Sequence, residues 1–265
     1  MKPVLKSKLD DAIQRSLRDV ADTDYIASRI CWKHELDHQF YWSALQAIEK
    51  YLKAILLFHR KSAKGLGHDI CKALKRVQQI SVIDLKLESN VEQFIEILNC
   101  KGPNRYFEWN LNRNGNELLW LDKTVWLLRI HCVAIDSDIR VVEPRGGQMR
   151  TIWTTSEHFE KIRLHQPHHN PSNISIPFGK LETVLGSQSG ARAALVWKNL
   201  YIGRKNKKSI QWKVRAHYSS PAHVIAPEIY SELEKLMDFS HETKEYFRPS
   251  QKSSGKMSPG FFRLR

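Results

Sequence analysis

The sequence predicts a mainly α-helical protein: an up-and-down helical bundle over residues 1–140, a basic C-terminal region over 141–247, and a mobile basic tail over 248–265. Three observations predict it. Apolar residues recur at three- and four-residue spacing through the first half. Clusters of Gly, Pro and Asn punctuate that pattern at intervals that suit short helix connections. Beyond residue 140 the texture changes to loop-rich segments such as "EPRGGQ", "HQPHHNPSN" and "GSQSG", so this region reads as α or α+β with room for a small β hairpin.

The elements follow in order. "KSKLDDAIQRSLRDV" and "TDYIASRICWKHE" each carry a helical apolar stripe, with Asp22 and Thr23 placed as caps between them. "DHQFYWSALQAIEKYLKAILLF" is the strongest helix, because Tyr41, Leu45, Ile48, Leu52 and Ile55 share one face while Gln39, Ser43, Gln46, Lys50 and Lys53 share the other. Glu49 and Lys53 add a favourable i,i+4 pair. "HRKSAKGLG" breaks the pattern, "HDICKALKRVQQI" and "SNVEQFIEIL" restart it, and "ELLWLDKTVWLLRIHCVAI" is a last apolar helix after a loop rich in Asn, Gly and Pro.

In the second half "SIQWKVRAHY" alternates as a strand whose outer face is basic, with "RKNKK" before it as a hairpin turn. "ARAALVWKNLYIG" fits that hairpin or a helix leading into a loop, and the two remain open. "APEIYSELEKLMDF" reads as a helix with Pro227 in its first turn.

The formal net charge is +14, and residues 141–265 carry 20 Lys and Arg against 10 Asp and Glu. An excess of that size favours a polyanionic partner, since each neutralised phosphate releases a counterion, although it supplies affinity and not sequence reading. Cys31, Cys71, Cys100 and Cys132 lie far apart with no C-x-x-C pair, which predicts reduced core thiols. The N-terminus has acids where a secretory signal needs an unbroken apolar run, and no long apolar span is present, so a soluble cytoplasmic protein without membrane association is expected.

"HELDH" at residues 34–38 matches the H-E-x-x-H of zinc proteases, which need both histidines on one continuous helix. Asp37 stands where the long helix begins and reads as its N-cap, which would put His34 and His38 on either side of a bend. The stretch is a helix junction, and no metal or other cofactor is expected. His158, His165, His168 and His169 form a second histidine group, whose place in a basic loop suits phosphate or water better than metal.

The segment "DYIASRICWKHELDHQFYWSALQAIEKYLKAILL", followed by "GLGHDI", resembles the HEPN family ("higher eukaryotes and prokaryotes nucleotide-binding") over about Asp24 to Asp69. The coinciding positions are Tyr25, Arg29, Gln46, Ala47, Glu49, Lys50, Tyr51, Leu52, Lys53, Ala54, His68 and Asp69. More loosely, "NRYFEW", with Arg105, resembles an arginine-containing turn before the last helix. The resemblance implies an all-α domain, often a homodimer, that binds RNA or nucleotides, works in prokaryotic defence or toxin–antitoxin systems beside an antitoxin or other protein partner, and in many members is a metal-independent ribonuclease. Those enzymes carry an R-x(4–6)-H motif on the last helix.

Three pairs fit that spacing: Arg29 with His34, Arg163 with His168, and Arg163 with His169. Chance alone gives about two such hits in a chain with this many arginines and histidines, so position decides. Arg29 and His34 fall on the first matched helix, and the last helix offers only Arg129 and His131, spaced too closely. The preferred catalytic pair is therefore Arg163 and His168. RNA or nucleotide contacts are expected at Arg29, Lys50, His68, Arg105, Lys213 and Arg215. The plainer alternatives are that Arg29 pairs with Asp24 or Glu49 to hold two helices together, that Lys50 and Lys53 are a solvated face, and that His68 caps or orients the following helix. Trp109, Trp120, Trp126 and Trp197 are expected in the core, with Trp212 a candidate for base stacking.

Overall fold

A computed structural model describes residues 3–83, 85–101, 111–113, 115–132, 139–142, 149–153, 179–202, 216–218, 232–236 and 238. These residues are mainly helical. One compact unit spans Met1–Arg105 and Asn112–Ala216, and a second spans Tyr106–Leu111 and His217–Arg265.

The first unit begins with one long helical run. Helix α1 (Pro3–Ile13) passes through a π-helical turn (Gln14–Arg18) directly into α2 (Asp19–Lys33). The caps expected at Asp22 and Thr23 are therefore not made. The Thr23 hydroxyl donates back to Asp19 O at 3.0 Å inside the helix, and Asp22 is fully buried with tertiary partners. A carboxylate with such partners has no need of a local cap.

Helix α2 stops at the "HELDH" stretch. The Glu35 amide donates to Trp32 O (3.2 Å) and the Leu36 amide to Cys31 O (2.9 Å), with Glu35 at φ 60°. This is a Schellman ending with a non-glycine residue in the left-handed position. Helix α3 (Asp37–Phe58) starts two residues later, so His34 is the C-cap of α2 while His38 lies in the first turn of α3. One detail differs from expectation: Leu36 holds the cap position, without a side-chain cap bond, and Asp37 is the first helical residue. Among the described residues no group of His, Cys, Asp or Glu could hold a metal ion.

Helix α3 is the axle of the unit and packs against α1 and α2 as well as against α4 (Ile70–Gln78), α5 (Ser89–Lys101) and α6 (Glu117–Arg129). Tyr41, Leu45, Ile48, Leu52 and Ile55 are all buried, as their spacing predicts. So are Phe40, Ala44, Ala47, Tyr51, Ala54 and Leu56, because neighbours cover α3 on several sides and leave only a narrow polar strip. Helix α3 also ends in a Schellman motif, with Arg60 at φ 56° and the Lys61 amide donating to Leu56 O (2.7 Å). Asp69 caps α4 by accepting from the Lys72 amide (2.8 Å), a role expected of its neighbour His68.

After α6 come two short antiparallel strands, β2 (Ile139–Val142) and β3 (Met149–Trp153); β1 is Leu111–Arg113 and β4 is Ala216–Tyr218. The hairpin turn expected at "RKNKK" lies outside the described residues, as do the rest of the "SIQWKVRAHY" strand and residues 248–265. Of the helix expected in "APEIYSELEKLMDF", residues 232–234 are described and helical.

Two more helices belong to the first unit: α7 (Lys180–Leu185) and α8 (Gly190–Val196), and both pack on α2. The open choice at "ARAALVWKNLYIG" resolves to a helix, which Ser189 caps by accepting from the Arg192 amide (3.2 Å). The chain then turns through Lys198 at φ 48°.

All four cysteines are free thiols. Cys132 is buried, Cys31 and Cys71 are half-buried, and Cys100 is exposed, so one of the four is a core residue. Of the tryptophans, Trp126 is buried and Trp120 and Trp197 are half-buried; Trp109 and Trp212 lie outside the described residues. No described helix is long and apolar enough to cross a membrane.

Candidate functional site

Two buried arginines organise the polar interior of the bundle. Arg29, on α2, is fully buried. Its Nη1 pairs with Asp122 of α6, its Nε donates to Ala194 O (2.9 Å), and its Nη2 donates to Trp197 O. The Tyr25 hydroxyl, one turn earlier, donates to the same Asp122 carboxylate (2.6 Å) and accepts from Asn199 Nδ2 (2.9 Å). Asn199 in turn accepts from the Tyr201 and Ile202 amides through its Oδ1. In this group the donors of Arg29, Tyr25 and Asn199 thus have acceptors, the condition under which buried polar groups are tolerated.

The second arginine is Arg129, the last residue of α6. Its Nε and Nη2 donate to the two oxygens of Asp22 (2.8 and 2.9 Å), and its Nη1 and Nη2 reach the two oxygens of Glu182 on α7 (2.9 and 2.7 Å). Asp22 also accepts from the Tyr51 hydroxyl (2.6 Å) and from the Leu181 amide (3.2 Å). Only a planar fork of donors can serve two carboxylates in this way. Gly179 makes room for it, because a Cβ there would fall on the Glu182 carboxylate and on the guanidinium.

Burial dominates the protonation of this interior. It raises the Tyr25 and Tyr51 phenols well above their ordinary value of 10.0, and the Asp122 and Asp22 carboxylates they face add to the effect. Burial likewise raises the Asp122 carboxyl, while Arg29 and the Tyr25 hydroxyl oppose that rise. For Arg29 burial acts downward, but Asp122 and Tyr25 together outweigh it and the guanidinium is held charged.

A linked alkaline effect follows. As pH rises through 10.0 the unfolded chain gives up its tyrosine protons first, whereas the folded chain keeps those of Tyr25 and Tyr51. Their contribution is therefore complete below that pH and is lost as pH climbs toward the folded-state values. Urea unfolding is expected to show stability declining above about pH 10. Tyr51→Phe should cost about 1.5–3 kcal/mol near neutral pH, by removing a hydrogen bond to a carboxylate, and should flatten that decline.

The solvent side of α3 carries a second arrangement. Glu49 is nearly buried and takes a hydrogen bond on each oxygen: Lys53 Nζ to Oε1 (2.5 Å) and His68 Nδ1 to Oε2 (2.9 Å). Lys53 also donates to Gly67 O (2.9 Å), tying the α3–α4 loop down. One turn earlier Lys50 bridges Asp24 (2.7 Å) and Gln46 (2.9 Å). His68 remains largely exposed, so its ring is oriented by Glu49 while its other nitrogen is accessible.

The expected site residues thus fall into three groups. Arg29, expected at an RNA surface, is in the interior, where solvent and ligand cannot reach its guanidinium; nor does it pair with Asp24 or Glu49, which are taken by Lys50 and by Lys53 with His68. Lys50, on α3, and His68, in the α3–α4 loop, are at the surface, and Lys50 and Lys53 are half-buried ion-pair partners more than a freely solvated face. Arg105, Arg163, His168, Lys213 and Arg215 lie outside the described residues, as do His158, His165 and His169. Sequence reasoning read Asp22 as a cap and weighed Arg129 only for its spacing from His131, and it missed Asp122, Glu182 and Asn199. Single acids and an arginine inside otherwise apolar helices were the available signal.

Comparison with protein-family models, with curated proteins and with solved structures returns no match for this chain.

Proposed function

We propose that the protein is an RNA- or nucleotide-binding protein of the HEPN type, acting as a homodimer in a prokaryotic defence or toxin–antitoxin setting, with metal-independent endoribonuclease activity carried by Arg163 and His168. The observation that supports this reading best is how the residues of the resemblance divide. Tyr25, Arg29, Ala47, Tyr51, Leu52 and Ala54 build the interior, whereas Gln46, Lys50, Lys53 and His68 stay together on the solvent side of α3. A histidine suits proton transfer near neutral pH, and an arginine suits a developing phosphorane charge.

A second reading has its own support: the bundle is a non-catalytic module that binds a protein partner and docks on nucleic acid. Arg29 and Arg129, the arginines of α2 and α6, are both committed to buried carboxylates, which leaves neither for a phosphate.

One experiment separates the two. Labelled RNA is incubated in EDTA with the protein and with its Arg163→Ala and His168→Ala variants. Cleavage that survives chelation and drops by about a hundredfold or more in either variant is the expected result for the enzyme. Binding without cleavage favours the module, and cleavage that needs added metal contradicts both.

A further inference from the structure

The segment from Arg60 to Arg76 carries six Lys and Arg against one acid, Asp69, within a half of the chain that is otherwise near charge balance. Arg60 pairs with Asp10 (2.7 Å). The other five, Lys61, Lys64, Lys72, Lys75 and Arg76, pair with no carboxylate among the described residues. On α4, Lys72, Lys75 and Arg76 stand at i, i+3 and i+4, opposite the buried face of Ile70, Ala73, Leu74 and Val77. Like charges at that spacing repel and cost helix stability, and a solubilising surface intersperses both signs.

The loop beside this face is held in one shape. Arg76 Nη1 donates to Ser62 O (2.8 Å) and Lys64 O (3.1 Å), Lys72 Nζ to Gly65 O (3.2 Å), and Lys53 Nζ to Gly67 O (2.9 Å). Gly65 and Gly67 supply the positive φ angles that turn these carbonyls toward the cations. The carbonyls fix Lys72 and Arg76 without neutralising them, and Arg76 keeps Nε and Nη2 to donate. These two cations, ordered in advance, lose less freedom when an anion binds. His68, oriented by Glu49, stands at the loop's end.

We infer that the α3–α4 loop and the outer face of α4 form a docking surface for the phosphate backbone of single-stranded RNA, contacted by Lys61, Lys64, Lys72, Lys75 and Arg76. The inference rests on the RNA-binding reading above and adds to it the place where the strand lies. RNA is favoured over a compact anion because the charges are strung along a loop and a helix face rather than converging on one point, and phosphate contacts of this kind need no base-specific groups.

The test uses a labelled single-stranded RNA and the full chain, with affinity measured by anisotropy over a range of salt concentrations. Lys61→Ala, Lys64→Ala and Lys75→Ala are combined, because among the described residues these ammonium groups make no hydrogen bond or ion pair and the fold does not depend on them. Three lost phosphate contacts should reduce the magnitude of the salt slope by about 2, at about 0.7 per contact, and weaken binding by about tenfold or more at low salt. RNA binding with an unchanged slope in the triple variant overturns this surface and leaves the RNA reading standing. No RNA binding by the wild-type chain overturns both. Binding to phosphatidylglycerol vesicles in place of RNA overturns RNA as the occupant.

Discussion

Arg129→Ala is expected to cost about 3–5 kcal/mol, enough to leave a protein of ordinary stability partly unfolded near physiological temperature. The reason lies in what stays behind. Asp22 is fully buried, and without the guanidinium its charge faces only the Tyr51 hydroxyl and the Leu181 amide. The Arg129–Glu182 ion pair is lost as well, and with it that tie between α7 and the bundle. Arg129→Lys is expected to recover little, since an ammonium cannot serve two carboxylates through a planar fork. Thermal unfolding of the three proteins checks this; a wild-type midpoint in Arg129→Ala would show that the network contributes nothing.

The second large effect is expected at Arg29. Arg29→Ala strands the Asp122 carboxylate in a fully buried position and removes the donors to Ala194 O and Trp197 O, again costing about 3–5 kcal/mol. A double variant sharpens the argument. Arg29→Met with Asp122→Leu removes both charges, so it should cost less than the sum of the two single changes. It should still fall short of wild type, because the two carbonyls remain without their donors, at about 1–3 kcal/mol each when buried. Chemical denaturation of the four proteins gives the coupling energy. Strictly additive losses would mean that Arg29 and Asp122 do not act as a pair.

The same residues explain what the sequence could and could not reveal. Helix α3 was legible because its apolar period is strong and because a helix must bury such a stripe. The break at "HELDH" was legible because that period starts at Asp37. Asp22 was misread as a cap because "DTD" between two apolar runs looks like local helix-start chemistry. Its partners are Tyr51, 29 residues away, and Arg129, 107 away, and no local spacing encodes them. Arg29 was placed with the nearest acids by the same local logic, whereas its partner Asp122 is 93 residues distant. The packing of α7 and α8 on α2 was invisible for a related reason: both are short, and much of their attachment runs through backbone groups, Leu181 N, Ala194 O and Trp197 O, which carry no residue signature, beside the side chains of Glu182 and Asn199. The cations of α4 were passed over because, taken singly, they read as ordinary solvated residues.

The central claim is that the 180–199 segment is bolted to the helical bundle through Arg29 and Arg129. The most direct reporter is the Leu181 amide, which lies in the first turn of α7, where an isolated helix leaves its N–H groups without intrahelical partners. Hydrogen exchange of this amide followed by NMR is expected to be slowed to the order seen for α3, because its acceptor is the buried Asp22 carboxylate, and to quicken in Arg129→Ala under conditions where the protein stays folded. Exchange at the rate of a free chain in the wild-type protein would contradict the account.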